Sequence, residues 1–422
     1  MLLRSIARRF ESLPAESISQ NPSKSLIEAL GGGQSLAGVP VTADSASGVP
    51  AVFSCDKVIK EDIAKTPIKV KKKNADGTRQ DDPNHPVYAL LHDMANPFMT
   101  AYQFKEHMQS SLNLWGNAYA EIIRNQRNEP TALFPLDPSR MTVSVNSLNN
   151  LVYCYRMQDG TTKEWTWNAS NPPIFHLRQN ATQACWWMGR SPIKVVRDYF
   201  GLSIAQNQYQ ARHFGQGGHS QLALSTDQPV NDPVAAQRIV QDFEKVTRGV
   251  ENSHRAVFMP FGLKATALAM PHKDAQFVEL LKMSRSTMCG VFRIYGQKVN
   301  DLERATFSNV TELNIAHVND TLGPHYENWT QTIAMCLLNN RSFNTHFAFF
   351  ETKALMKGDF KSLIEALGKE REIGVVSAND IRKYLDMDDL IPVDQGGDDY
   401  LVNGGLVPMR RDPSFGSLGV AH

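Results

Sequence analysis

Reactive side chains at characteristic spacings are the first place to look for an activity. The chain has twelve histidines. None forms an H-E-x-x-H pair or a tight cluster with cysteine of the kind that holds zinc. His213 and His219 flank Gly215-Gln216-Gly217-Gly218, but no carboxylate or cysteine stands beside them, so no metal is expected there. The glycine run follows a predicted helix, whereas a dinucleotide fingerprint follows a strand; it reads as a helix terminator. A phosphate-binding G-x-x-x-x-G-K-[ST] loop and a G-x-S-x-G nucleophile elbow are both absent. Asp388-Asp389 and Asp398-Asp399 pair carboxylates, yet adjacent side chains point apart on most backbones, and a solvated tail is the expected setting. Trp186-Trp187 reads as core packing or a subunit contact and not as a base-stacking platform. No enzyme and no cofactor are expected.

The five cysteines are Cys55, Cys154, Cys185, Cys289 and Cys336. Their odd number, wide spacing and lack of a C-x-x-C pair read as reduced thiols of a cytosolic protein.

The elements that would position these residues change character along the chain. Residues 1–48 are rich in Ser, Gly and Ala and read as a mobile arm. Helical spacing begins at 51–65 with Val52, Val58, Ile59 and Ile63. A second helix is predicted at 100–114, capped by Thr100, with Phe104, Met108 and Leu112 on one face. Short strands follow at 119–124, 131–136, 141–145, 151–157, 163–167 and 174–178. Ser191-Pro192 then opens a long helix to about residue 214. A strand (221–225), a helix (233–248) and two strands (256–260 and 263–270) form a small insert. Long helices at 274–295 and 309–338 come next, separated by a polar loop at 296–308. One strand, 346–351, and two short helices end the pattern. The class is α+β, with mainly antiparallel pairing in the first half.

Lys plus Arg number 44 against 43 Asp plus Glu, for a net charge of +1. A protein that grips nucleic acid statically carries a large basic face, which this balance argues against; it allows one that lets nucleic acid slide. No apolar run approaches the roughly 18 residues a membrane span needs.

Several stretches, in order, resemble the phage portal protein family of the HK97-like tailed phages. They are residues 51–70; residues 85–124, with Asn96-Pro97-x-x-Thr100 and Trp115-Gly116-Asn117-Ala118-Tyr119; Leu133-Phe134-Pro135-Leu136-Asp137-Pro138; 174–178; 189–218; 273–296; 303–329; and 374–387. Each motif alone is weak, while their order over about residues 50–400 is specific. Two departures stand out. A Pro-containing strand entry is missing at 219–221, and a Val-Pro step is replaced by Tyr295-Gly296-Gln297.

The resemblance implies a portal fold: an antiparallel-strand wing, a two-helix stem bracketing a small α/β clip, a long spine helix and a helical crown. Carried onto this sequence, the arm is 1–48 and the wing 49–188 with 340–355. The first stem helix is 189–215, the clip 216–273 and the second stem helix 274–295. The tunnel loop is 296–308, the spine 309–339, the crown 356–400 and a flexible tail 401–422. It further implies a homo-oligomeric ring of about twelve copies whose heterologous interfaces close. Such a ring sits at one capsid vertex of the virion, assembled in the host cytoplasm. It passes double-stranded DNA during packaging and ejection without reading sequence. The terminase large subunit, the major capsid protein and head-tail connector proteins are the implied partners.

On that reading, Gln297, Lys298, Val299, Asn300, Asp301 and Leu302 line the constriction. Lys194, Arg197, Lys282 and Arg285 are candidates for the stem's channel face, offset by Asp198 and Glu279, against the plainer reading of a solvated face or intersubunit ion pairs. Gln221, Arg238, Lys245 and Lys264 would dock terminase or connector at the clip. Another virion connector ring and a nucleic-acid-processing enzyme are the alternatives.

Overall fold

A computed structural model describes residues 35–74, 79–215, 222–226, 232–247, 259, 262–267, 274–300, 307–338, 345–352, 360–385, 387 and 390–400. The chain divides into two units, one ending at Phe350 and one beginning at Glu351.

The first unit starts earlier than its composition suggests. Residues 35–48, expected in a mobile arm, are packed: Val41, Ala43 and Ala46 are buried, and α1 (Ala43–Ser47) carries a capping box from Thr42. The reason is visible at Gly201, where a Cβ would fall 2.0 Å from Ser35 Oγ. A bare glycine lets residues 35–41 lie on a helix surface. Residues 1–34 lie outside the described residues.

Helix α2 (Pro50–Lys65) buries Val52, Cys55, Ile59 and Ile63. Strand β1 (Ile68–Lys73) follows, with β2 (Arg79–Asp81), α3 (Pro86–His92) and the short hairpin β3 (Met94–Asn96) and β4 (Met99–Thr100). Thr100 caps α4 (Ala101–Trp115) through a reciprocal bond with Gln103, and Phe104, Met108 and Leu112 are wholly buried. Gly116 ends α4 in the left-handed region at φ 72°, where a Cβ would meet the Arg190 backbone at 2.5 Å.

Strands β5 (Asn117–Arg124), β6 (Pro130–Leu136), β7 (Met141–Val145), β8 (Leu151–Arg156), β9 (Thr162–Thr166) and β10 (Ile174–Arg178) make two antiparallel sheets, ordered β10-β5-β6 and β7-β8-β9. Tyr119, Met141, Val143, Tyr153 and Ile174 form one core, with Trp165, Trp167 and Trp187 packed against it. Trp187 is thus a packing residue, while its neighbour Trp186 is 56% exposed beneath the Arg178 guanidinium, 5.9 Å from the ring centroid.

The long helix expected at 189–215 is broken. Ser191 caps α5 (Pro192–Val195), Val196 leaves helical geometry, and α6 (Arg197–Gly215) resumes. The insert contributes β11 (Leu222–Ser225), α7 (Pro233–Thr247) and β12 (Lys264–Ala267); β11 and β12 pair antiparallel. Most of the strand expected at 256–260 lies outside the described residues.

Helix α8 (Asp274–Val291) stops four residues short of the expected Tyr295. Ile294 N–H turns back to the Cys289 carbonyl, and Arg293 takes φ 54°. The expected loop 296–308 is a 3-10 turn over Gly296–Val299, and helix returns at Phe307, two residues before the expected start.

The last long helix is not one α-helix. It runs as α9 (Phe307–Ala316), a π-helical turn (His317–Leu322) and α10 (Gly323–Cys336). Pro324 explains the interruption, since it has no N–H to give the carbonyl four residues back and its ring would crowd it. The Gly323 N–H reaches the Val318 carbonyl instead, five residues back.

Strand β13 (His346–Phe350) completes a sheet ordered β13-β1-β2, with Val70 opposite Ala348. Around α10 lies a polar network. Trp329 Nε1 donates to Gln109 Oε1 at 2.9 Å, and Gln109 Nε2 donates to Asn113 Oδ1 at 2.8 Å. Asn113 Nδ2 then donates to Asp56 Oδ1 at 3.0 Å.

The second unit holds α11 (Phe360–Glu372) and α12 (Ala378–Tyr384). Ser377 caps α12, and Asn379 ties the following loop to it. Its Nδ2 donates to the Ile391 carbonyl and to Asp398 Oδ1, each at 2.8 Å. Asp398 is therefore a structural acceptor. Asp388 and Asp389, and the tail 401–422, lie outside the described residues.

Candidate channel-facing site

The two helices bracketing the insert meet through hydroxyls. Tyr199 and Ser203 stand one turn apart on α6, and Ser284 and Thr287 one turn apart on α8. Tyr199 Oη donates to Thr287 Oγ1 at 3.1 Å, and the Ser203 and Ser284 hydroxyls are hydrogen-bonded. Ser203 is buried, so its hydroxyl needs this partner. At the start of α6, Asp198 Oδ1 accepts the Leu36 backbone N–H at 3.0 Å. A carboxylate here also suits the positive end of the helix.

The turn after α8 is held from both sides. The Arg285 guanidinium donates to the Val299 carbonyl. Tyr295 Oη donates to Asp320 Oδ2 at 3.3 Å, and Thr321 Oγ1 donates to the Arg293 carbonyl at 2.6 Å. The turn is thereby fastened to α8 and to the π-helical turn. Asn300 closes it in the left-handed region at φ 60°, a conformation asparagine tolerates better than most residues. Beside it lies a cleft of about 470 Å³, walled by α2, α6, α8 and the turn, with Ser54, Asn207, Met288 and Asn300 among its lining.

Deeper in, Asp62 anchors the π-helical turn. Burial alone would raise its pKa, but the bond with His317 Nε2, at 2.8 Å, and the Lys65 ammonium outweigh it and hold the carboxyl below its ordinary value. Lys105 is buried with Nζ donating to the Thr66 carbonyl at 2.8 Å, and burial lowers its pKa to about 8. His176 and His325 are held neutral by burial, with pKa values lowered to about 3 and about 4.

The structure separates the expected site residues. Gln297, Lys298, Val299 and Asn300 share the turn, whereas Asp301 and Leu302 lie outside the described residues. Val299 is buried within the single chain. Lys298 is half-buried and Asn300 exposed. The Gln297 amide is buried, with no hydrogen-bond partner among the described residues. Arg285 is half-buried and its guanidinium donates to the Val299 carbonyl, which has left the helical ladder and needs a donor.

Lys194 and Lys282 are exposed; Arg197 is half-buried. The side chains of Glu279 and His213 lie outside the described residues, as do Gln221 and His219. Arg238, Lys245 and Lys264 are exposed on the insert; Lys245 pairs with Asp242 at 3.0 Å, and Lys264 stands opposite Ser225 on β12.

Sequence reasoning missed the hydroxyl contacts between α6 and α8, although the spacing of Tyr199 with Ser203 and of Ser284 with Thr287 was there to be read. Among the described residues, no group of three His, Cys, Asp or Glu side chains is arranged to hold a metal ion, and no helix is long and apolar enough to cross a membrane.

A family sequence model described as phage portal protein matches residues 50–386. The portal protein of Enterobacteria phage HK97 is 25% identical over 364 residues, covering 86% of this chain and 83% of its own. The probable portal protein of Streptomyces phage phiC31 is 24% identical over 390 residues, covering 90% and 83%. Among solved structures, an HK97 family phage portal protein from Corynebacterium diphtheriae has a TM-score of 0.54 at 13% identity, covering 74% of this chain and 97% of that one. A chain from the neck of a native gene transfer agent particle, computed with C12 symmetry, has a TM-score of 0.53 at 19% identity, covering 81% and 91%. At these identities the structural likeness establishes the fold.

Proposed function

The chain belongs to the phage portal protein family, and from that premise we propose that it closes into a ring of about twelve copies forming the DNA channel at one capsid vertex of a tailed phage virion. In this reading residues 35–188 with 345–350 are the wing, and α6 and α8 are the stem. The insert between them is the clip, the turn at 296–300 begins the tunnel loop, α9 to α10 is the spine, and residues 360–400 are the crown. The ring passes double-stranded DNA inward during packaging and outward at ejection. The clip docks the terminase large subunit first and head-tail connector proteins afterwards, and the wing meets the major capsid protein.

One observation carries the reading most directly: two long helices bracket an insert of paired strands and a helix, and the second helix ends in a turn fastened on both sides. A conduit must hold its narrowest loop in place without gripping its cargo. Each phosphate neutralised releases counterions and steepens binding, with a slope of about −0.9 per contact. The exposed charge here is mixed, with Lys194 and Asp198 near the start of the first helix pair, and the whole chain is near neutral.

Native mass and negative-stain imaging of the full chain test the proposal. The expected result is a closed ring with a central hole, near 565 kDa for about twelve copies of a 47.1 kDa chain. A stable monomer or dimer at high protein concentration would overturn it.

A further inference from the structure

Helices α2 and α8 bring together two cysteines from distant parts of the chain. Cys55 and Cys289 are 234 residues apart in sequence, and their Sγ atoms are 3.7 Å apart. Both are buried. Such thiols often serve only as small apolar packing groups. Here, however, two thiols are opposed, and the residues beside them, Ser54 and Met288, line the 470 Å³ cleft. The cleft wall stops one residue short of each thiol, so a small oxidant reaches the pair only through local opening of α2 or α8.

We propose that Cys55 and Cys289 are a reversible dithiol–disulfide site that covalently ties α2 to α8. The oxidant is a low-molecular-weight disulfide such as oxidised glutathione. The Cys289 thiol, which is slightly less covered than Cys55, loses its proton to solvent and attacks one glutathione sulfur, forming a mixed disulfide and releasing one glutathione thiolate. Cys55, deprotonated in turn, attacks the Cys289 sulfur. The Cys55–Cys289 bond forms and the second glutathione thiolate leaves. The protein loses two electrons and two protons, one glutathione disulfide is reduced, and both thiolates take up protons from solvent.

Closure to the bonded distance of about 2.05 Å needs the two sulfurs to approach by roughly 1.6 Å. The hydrogen bond to Cys289 and burial push the Cys55 thiol well up, which makes the exchange slow and dependent on opening. A reducing compartment keeps the pair as thiols, and oxidising surroundings convert it. The chemistry does not depend on the portal reading. Only the corollary does, that the bond joins wing to stem once a particle has left its host.

The test uses the purified full chain, incubated natively with oxidised glutathione, alkylated, and digested without reduction. The expected product is a peptide linking Cys55 to Cys289, with loss of two alkylatable thiols. It should bring a melting-temperature rise of a few degrees that dithiothreitol reverses. Cys289→Ser should abolish the linked peptide and the rise. Half-buried Cys154 and Cys185 report that oxidant was effective, and buried Cys336, whose Sγ faces the Ile174 carbonyl, serves as an unpaired reference. The proposal fails if Cys154 or Cys185 is oxidised while Cys55 and Cys289 stay alkylatable after unfolding. It fails equally if only glutathione adducts form. Because the linked peptide is read in the unmodified chain, misfolding of a variant cannot mask either outcome.

Discussion

Helices α4 and α7 are the same length, 15 residues each, and both space apolar side chains for one helical face. Their fates differ. In α4, Phe104, Met108 and Leu112 are wholly buried, and Phe104 meets the Trp329 ring edge-on at 6.3 Å. In α7 the apolar face is Ile239, Val240, Phe243 and Val246; Ile239 and Phe243 are only half-buried, and Val240 and Val246 stay about half exposed within one chain. Isolated helices of this length are marginal in water, and packing supplies most of their stability. Periodicity thus marks which face of a helix is apolar, and not what covers it. The α4 face is completed by its own chain. The α7 face belongs to the insert proposed to dock other proteins.

Four measurements sharpen or break that contrast. Phe104→Ala should cost about 3–5 kcal/mol, because the site is enclosed and cannot collapse; urea unfolding of the first unit reads it, and a loss under 1 kcal/mol would place α4 with α7. Acid comes next. His176 and His325 are held neutral in the folded chain but take up protons when unfolded, so stability should fall as pH drops below about 6.5, the ordinary histidine value, towards the folded values of about 3 and about 4. The slope should approach about 2.7 kcal/mol per pH unit for the pair. Unfolding midpoints level between pH 6.5 and 4.5 would refute it.

Lys105→Met should stabilise by about 1 kcal/mol at pH 7, since it removes a buried cation at the expense of one hydrogen bond. Folded Lys105 titrates near 8 and the unfolded side chain near 10.4, so the parent binds fewer protons folded than unfolded between those values and gains stability there. The variant's advantage should be full below pH 8 and fade towards pH 10.5. Smallest of all, Val240→Ser should change stability by less than about 0.5 kcal/mol while weakening capture of a docking partner. A large loss of stability in the isolated chain would show that α7 is packed after all.

Much of this architecture could be read from residue order. Thr100 with Gln103, Ser377 with Asp380, and the alternation in 141–145 locate their elements because caps and two-residue periods are local signals. Long-range causes were harder to see. Nothing near residue 48 reveals that Gly201, far along the chain, leaves room for residues 35–41. Nothing in Lys282 to Thr287 distinguishes Arg285 from its neighbours, because the carbonyl it serves belongs to Val299. The charged residues assigned to the stem could be named by type, but their direction depends on tertiary contacts that composition does not encode. The Pro324 signal was local and legible, and should have ended the prediction of an unbroken helix at 309–338.

That proline has a further consequence. A π-helical turn holds one residue more than the α-helical turn it replaces, and one residue is about 100° of rotation. The segments on either side of residues 317–322 therefore behave like two cogwheels on one shaft, set a tooth apart. Side chains of α9 face a direction that counting from α10 in steps of 3.6 would not give. A chain shortened by one residue at exposed Asn319 would realign the teeth. It would leave Trp329 and Tyr326 seated where they are and swing the whole of α9 by about a quarter turn. Which surface the upstream half of this helix offers its surroundings is thus set by a single inserted residue.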